Sequence, residues 1–214
     1  MTLDADASLE HARNMLNRLG QEEITTVTKP WYSVVPIETR CVFSTLLMLA
    51  RHEIAMPKGN VGRTVRFADG TASGVYRETT MRQRQHDDLV LLAVRFRLRF
   101  IGDSRLVHFL FRVESLLNTL LFAAHPGFQT KLWLTDRITG YYRGIYEWKG
   151  RAAAMDYLET LRVVLAPWVE SGSFAYEVIA DASRGDYLDG LLPDDGGRSS
   201  GGWWRPVRSG QETG

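Results

Sequence analysis

PGFQT, residues 126–130, runs directly into KLWLTDRITGYYRGIYEWKG, residues 131–150, and the reading of that stretch decides the fold. It contains two short segments in which apolar and polar residues alternate, the period-2 pattern of half-buried strands. Pro126-Gly127 breaks a long apolar segment upstream, and a second helical pattern begins just downstream.

Upstream, Val90, Leu92, Val94, Phe96, Leu98 and Phe100 alternate with Arg95, Arg97 and Arg99, which predicts a strand with one core face and one charged face. A helix follows over about Asp103 to Ala124. Its residues Leu106, Phe109, Leu110, Val113, Leu117 and Leu120 face the core, and a polar stripe carries Arg105, His108, Arg112, Ser115 and Thr119. Downstream, a helix over about Arg151 to Glu170 should bury Ala154, Tyr157, Leu158, Leu161, Leu165 and Trp168, with Ser171-Gly172 ending it. A last strand separates Phe174, Tyr176 and Val178 from Ala175, Glu177 and Ile179. Residues 89–180 thus run strand, helix, strand, strand, helix, strand, a ferredoxin-like α+β pattern, βαββαβ. In the strand order 4-1-3-2, Arg95, Arg97 and Arg99 would be flanked by Glu177 and Glu147, so that opposite charges meet across the sheet.

The N-terminal 86 residues read as an extension. Leu9, Ala12, Leu16 and Leu19 mark one helix. Pro36 opens a second, apolar on two faces, that Met56-Pro57 ends. RTVRFADGTASGVYRETT then predicts a hairpin with strands at about 63–68 and 71–79, joined by a two-residue turn at Asp69-Gly70. The expected organisation is an extension over 1–86 packed on the main fold, a ferredoxin-like domain over 87–182, and a mostly flexible Gly/Ser-rich tail over 183–214. Trp203 and Trp204 are odd in a free tail and are candidates to dock on this or a neighbouring subunit.

The chain has 214 residues and a formal net charge of +1, which gives no electrostatic reason to expect nucleic acid. The single Cys41 forms no internal disulfide or thiolate site, and the oily segment Cys41 to Ala50 falls short of the roughly 20 residues that span a bilayer. The start of the chain lacks the basic-then-apolar order of a secretory signal. A cytoplasmic protein with no membrane partner is the expectation. No phosphate loop, dinucleotide fingerprint or nucleophile elbow is present, and His11, His52 and His86 lack metal-ligand spacing. Neither a metal nor another cofactor is expected.

PGFQTKLWLTDRITGYYRGIYEWKG, followed by an Ala-rich helix with Tyr157 and Leu161, resembles the monooxygenase family of the dimeric α+β barrel (ferredoxin-like) superfamily, over about residues 88–180. The shared motifs are structural: Pro126-Gly127 and Gly144. The resemblance implies two ferredoxin-like units paired sheet to sheet. It also implies a range of activities: cofactor-independent quinone-forming monooxygenases, polyketide cyclases, haem-degrading enzymes and members with no established activity. Residues 1–86 depart from that pattern.

The candidate substrate-binding residues are Tyr142, Trp148, Tyr176 and Phe96, expected on the helix-facing side of the sheet with Tyr146, where aromatic faces and hydroxyls would suit an aromatic or polyketide-like ligand. His108 and Tyr146 are the candidate catalytic residues for moving a proton. His125, at a helix C-terminus, is explained by capping. The charged face bearing Arg95, Arg97, Arg99, Glu147 and Glu177 is the expected homodimer interface. These residues fit a monooxygenase or cyclase acting in an apolar pocket, or a non-catalytic ligand-binding or dimeric assembly protein of the same fold.

Overall fold

The computed structural model describes residues 53–83, 87–99, 123, 125–192 and 201–208. The helices expected over 7–19, from Pro36, and over 103–124 lie outside the described residues apart from Ala123, and so does His108.

Seven strands form one antiparallel sheet: β1 (Ile54–Ala55), β2 (Thr64–Arg66), β3 (Ala72–Met81), β4 (Leu89–Arg97), β5 (Phe128–Thr135), β6 (Tyr141–Lys149) and β7 (Ala175–Ala180). The order across the sheet is β1-β3-β5-β6-β4-β7, with β2 paired to β3 outside that path. Helix α1 (Arg151–Leu165) crosses between β6 and β7, and a short helix α2 (Arg184–Asp189) follows. The strands after residue 88, with α1, make a ferredoxin-like α+β unit, and β3 extends its sheet beyond β5.

The described part of the N-terminal extension therefore belongs to the sheet itself. Ile54 and Ala55, expected at the end of a helix, pair instead with Met81 and Thr80. The Met56-Pro57 stop holds, but the residues before it take extended backbone because the edge of β3 offers partners. The β2–β3 hairpin forms with a different turn from the one expected. Gly70 N–H donates to Phe67 O and Phe67 N–H to Thr71 O, and Gly70 has φ 81° while Asp69 does not enter the positive region. One extra residue is thus in the loop, and only Gly70 needs the left-handed conformation. Asp69 Oδ1 accepts from Thr71 N–H and from its hydroxyl, which fixes the turn through the side chain.

Helix α1 lays Ala154, Tyr157, Leu158, Leu161 and Leu165 on the sheet, the spacing of one helical face. It ends at Leu165 because Pro167 cannot continue it. Trp168 is consequently on the outside, 51% exposed, and not in the core as its spacing suggested.

The reverse face of the sheet overturns a larger expectation. It is not an open ionic surface. Leu91, Ala93, Leu132, Leu134 and Ile145 form a second apolar core there, together with Phe67, Val75, Ile179, Tyr187, Trp203 and Trp204. The C-terminal segment supplies the cover. Trp203 and Trp204 are 5% and 3% exposed, and Ala68 N–H donates to Arg205 O while Val207 N–H donates to Arg66 O. The expected flexible tail thus does not extend to α2 or to 201–208. The burial of two indoles over an apolar sheet face is the physical reason.

Charges on that face find partners other than those expected. The register sets Arg95 against Arg143 and Ala175, Glu177 against Ala93, and Glu147 against Leu91. The cross-strand Arg–Glu alternation is therefore absent. Arg95 instead pairs with Asp69 at 3.7 Å and lies over the rings of Tyr141 and Trp203, at 5.0 and 4.8 Å from their centroids. Arg97 bonds Glu170 at 2.7 Å. Arg143 is buried and donates to Ser73 Oγ and Thr71 Oγ1. Fully buried Glu147 accepts from Arg184 N–H at 2.9 Å, and the Arg184 guanidinium binds Glu78. Arg99 is exposed. The face expected to carry the homodimer is thus occupied, over Arg95, Arg143 and Glu147, by the chain's own hairpin and C-terminal segment.

Candidate functional site

The helix-facing side of the sheet gathers the aromatic residues. Tyr142, Gly144, Tyr146 and Trp148 alternate along β6 onto this side, opposite Phe96, Val94, Leu92 and Val90 of β4. Tyr142 stacks on Phe96 at 6.1 Å between ring centroids. Half-buried Tyr176 of β7, across from Val94, packs against the same core cluster. Trp148 is fully buried, with Tyr157 of α1 at 4.9 Å, Phe128 at 5.6 Å and the His125 ring edge-on at 6.4 Å. Its indole N–H has no hydrogen-bond partner among the described residues. A buried donor in that position is available to an acceptor oxygen.

Tyr146 is the hub. Its ring lies 5.1 Å from that of Tyr157, and the Tyr157 hydroxyl donates to the Tyr146 oxygen at 3.3 Å. Burial pushes the Tyr146 phenol well above its ordinary value, against the hydrogen bond from Tyr157, so it stays protonated and serves as a donor. His125 is also buried, edge-on to Tyr157 at 5.4 Å, which places an imidazole inside this group and not merely at a helix end.

The pairing of β5 with β6 brings one residue here that sequence reasoning missed. Lys131 lies opposite Tyr146 on one side and Thr79 of β3 on the other. It is 2% exposed. Its Nζ sits 3.1 Å from the Trp133 ring centroid and 4.5 Å from that of Tyr146, a two-walled aromatic setting. Trp133 is held in turn by its Nε1–H to Thr79 Oγ1 at 3.4 Å and by Tyr76, 6.4 Å away, while the Arg77 guanidinium lies 5.2 Å from the same ring. Burial holds the Lys131 ammonium well below its usual range, and the positive charge of Arg77 adds to the effect. The neutral amine is favoured. The signal for Lys131 was present in KLWLT: Leu132 and Leu134 share one face, which leaves Lys131 and Trp133 together on the other.

Of the predicted site residues, the structure brings Tyr142 together with Phe96, and Tyr146 together with Trp148. Tyr176 joins the same core from β7. Thr79, Arg77, Lys131, Trp133, Tyr157 and His125 complete the group. Among the described residues no three His, Cys, Asp or Glu side chains converge as a metal site, and no helix is long and apolar enough to cross a membrane.

The arrangement defines a class, a ferredoxin-like α+β sheet with a buried polar-aromatic cluster under its helix. Solved structures similar to the chain are of that fold. One is a ferredoxin-fold protein from Listeria monocytogenes related to antibiotic biosynthesis monooxygenases, at 11% identity and TM-score 0.36, covering 61% of this chain and 92% of that one. Another is SnoaB, a cofactor-independent oxygenase from Streptomyces nogalater, at 20% identity and TM-score 0.30, covering 45% and 94%. A third is a heme-degrading enzyme from Listeria monocytogenes, at 11% identity and TM-score 0.34, covering 58% and 95%. No family model and no curated protein matches the sequence.

Proposed function

We propose that the chain is a small-molecule enzyme of monooxygenase or cyclase type that holds an aromatic or polyketide-like substrate between the sheet and its covering helices. The observation that supports this reading is the Tyr146–Tyr157 hydroxyl pair, buried beside Lys131 and the unpartnered Trp148 N–H. Core packing alone favours apolar side chains at such positions, since each buried polar group must regain the hydrogen bonds it leaves in water. A planar ligand carrying phenol or carbonyl oxygens would stack on Trp133 and Tyr146 and accept hydrogen bonds from the buried donors. Catalysis would come from confinement and from a tyrosine moving a proton while oxygen or an internal nucleophile reacts.

The near-complete burial of Lys131, Tyr146 and Trp148 favours a second reading, a ligand-binding protein without turnover. One experiment separates the two. Purified protein is incubated in air with a polycyclic phenol and, separately, with a linear polyketone, and oxygen uptake and new ring products are followed. Turnover that falls at least tenfold in Tyr146→Phe supports the enzyme. Saturable binding with no product in either assay supports the binding protein, and the absence of both contradicts this assignment of the site.

A further inference from the structure

We propose that Lys131 is a reactive amine that condenses with the carbonyl group of its ligand to form an imine, with Tyr146 as the proton relay. The inference deepens the reading above and rests on it, because it takes the ligand to lie against Trp133 and Tyr146. Geometry carries it. A lysine amine is placed on an inward-facing strand position, within 3.1 Å of one aromatic centroid and 4.5 Å of another. A flat carbonyl compound stacked on either ring would present its carbonyl carbon at the height of Nζ. The neighbouring Arg77 and the dry setting keep the amine unprotonated, the two conditions that turn a lysine into a nucleophile. Because Tyr157 donates to the Tyr146 oxygen, the Tyr146 proton is left to be given elsewhere.

The step balances without any redox partner. The nitrogen lone pair of Lys131 attacks the carbonyl carbon, and the carbonyl π pair moves to oxygen. Tyr146 supplies a proton to that oxygen and regains one from nitrogen, and a second proton lets the oxygen leave as water. One amine and one carbonyl become one C=N bond and one water. The imine withdraws electrons from the adjacent C–H, the acidification that ring closure of a polyketone by an aldol step requires. Hydrolysis then returns the amine. The substrate class is accordingly an aryl ketone, aromatic aldehyde or polyketone.

Access to Lys131 would run past Trp133, the ring it shares with Arg77. The Arg77 guanidinium reaches Met56 Sδ at 3.8 Å, and Met56 is well exposed. The amine is therefore one indole ring away from the rim of the sheet.

The test treats the full chain with benzaldehyde and sodium cyanoborohydride at neutral pH, digests it, and maps benzylated lysines by mass spectrometry. The exposed Lys58 and Lys149 serve as internal references. Labelling of Lys131 at least tenfold faster than either reference, and suppressed by an excess of a polyketone, is the expected result. Labelling no faster than the references overturns the proposal. Lys131→Arg, which keeps the length and the charge, should retain non-covalent naphthol binding while forming no adduct at residue 131. Wild-type protein that binds naphthol but is not labelled sinks the imine and leaves the ligand site standing. Protein that does neither sinks both.

Discussion

The ring of Tyr146 folds back over Gly144, so that a Cβ placed on Gly144 would stand 2.7 Å from Tyr146 Cε2 and 3.1 Å from its hydroxyl oxygen. The glycine is what lets the Tyr146 phenol lie where Tyr157 and Lys131 meet it. Gly144→Ala should displace that ring and cost about 1–3 kcal/mol, the range for overpacking a filled core. Gly74, also in a strand but with open space around its Cβ position, is the control. Its alanine variant should be neutral or slightly stabilising. Urea midpoints of the two variants measure the difference, and equal midpoints would refute the close contact.

Trp203 and Trp204 should matter to stability although they lie beyond a Gly- and Ser-rich stretch. Each covers the apolar reverse face, and replacing either with alanine should cost roughly 3–5 kcal/mol by the usual range for large aromatic truncation. Removing residues 193–214 should in addition expose Leu91, Ala93 and Ile145 and raise the binding of an apolar dye. A truncated protein with unchanged melting temperature and no dye binding would show that the segment is dispensable.

Lys131 gives a pH signature whose sign is fixed by its environment. Its folded-state value is depressed, so between that value and about 10.4 the unfolded chain binds a proton that the folded chain has given up. Stability attributable to Lys131 therefore rises with pH through this window. The groups that face it are Arg77, Tyr146, Trp133 and Thr79. Lys131→Met, of similar length, should keep or raise stability at neutral pH and should flatten the slope between pH 7 and 9. Denaturant midpoints against pH in the two proteins decide it, and a parallel pair of curves would contradict a desolvated amine.

Asp136 acts in the opposite direction at low pH. It sits in the β5–β6 loop, where desolvation pushes its carboxyl up. Hydrogen bonds from the Thr139 hydroxyl, Thr139 N–H and Ile138 N–H, with the nearby Arg143 guanidinium, outweigh that and hold it below the ordinary carboxylate value. A carboxylate with a depressed folded value contributes stability above about pH 3.9 and loses it as the pH falls through the folded value. Asp136→Asn should lower stability at pH 7 by about 1 kcal/mol and lose less on acidification than the parent. Identical acid unfolding profiles would count against this role.

The sequence made β6 and β7 legible because their alternation is strict and one face of each is aromatic. The hairpin was legible because Gly70 leaves few other choices for a left-handed turn. The reverse face was not. Attention to Arg95, Arg97 and Arg99 obscured that LVLLAV, residues 89–94, is apolar at every position, the mark of a strand buried on both sides. The cover is a pair of tryptophans more than a hundred residues away, and no local pattern ties them to β4. The site was half legible. Tyr146 and Trp148 stand out along one strand, whereas Lys131 becomes a site residue only through the register that sets it opposite Tyr146, which depends on the bulge between Phe128 and Thr130 and is invisible to periodicity.

The most direct test of the central claim, that the cluster around Tyr146 is a ligand site, is calorimetric titration of naphthol into wild-type, Tyr146→Phe and Gly74→Ala proteins. Loss of one buried hydrogen bond is worth about 1.4 kcal/mol, or tenfold in affinity. The account predicts saturable binding to the wild type, about tenfold weaker binding to Tyr146→Phe, and unchanged binding to Gly74→Ala. The same affinity in all three, or no saturable heat in any, would contradict it.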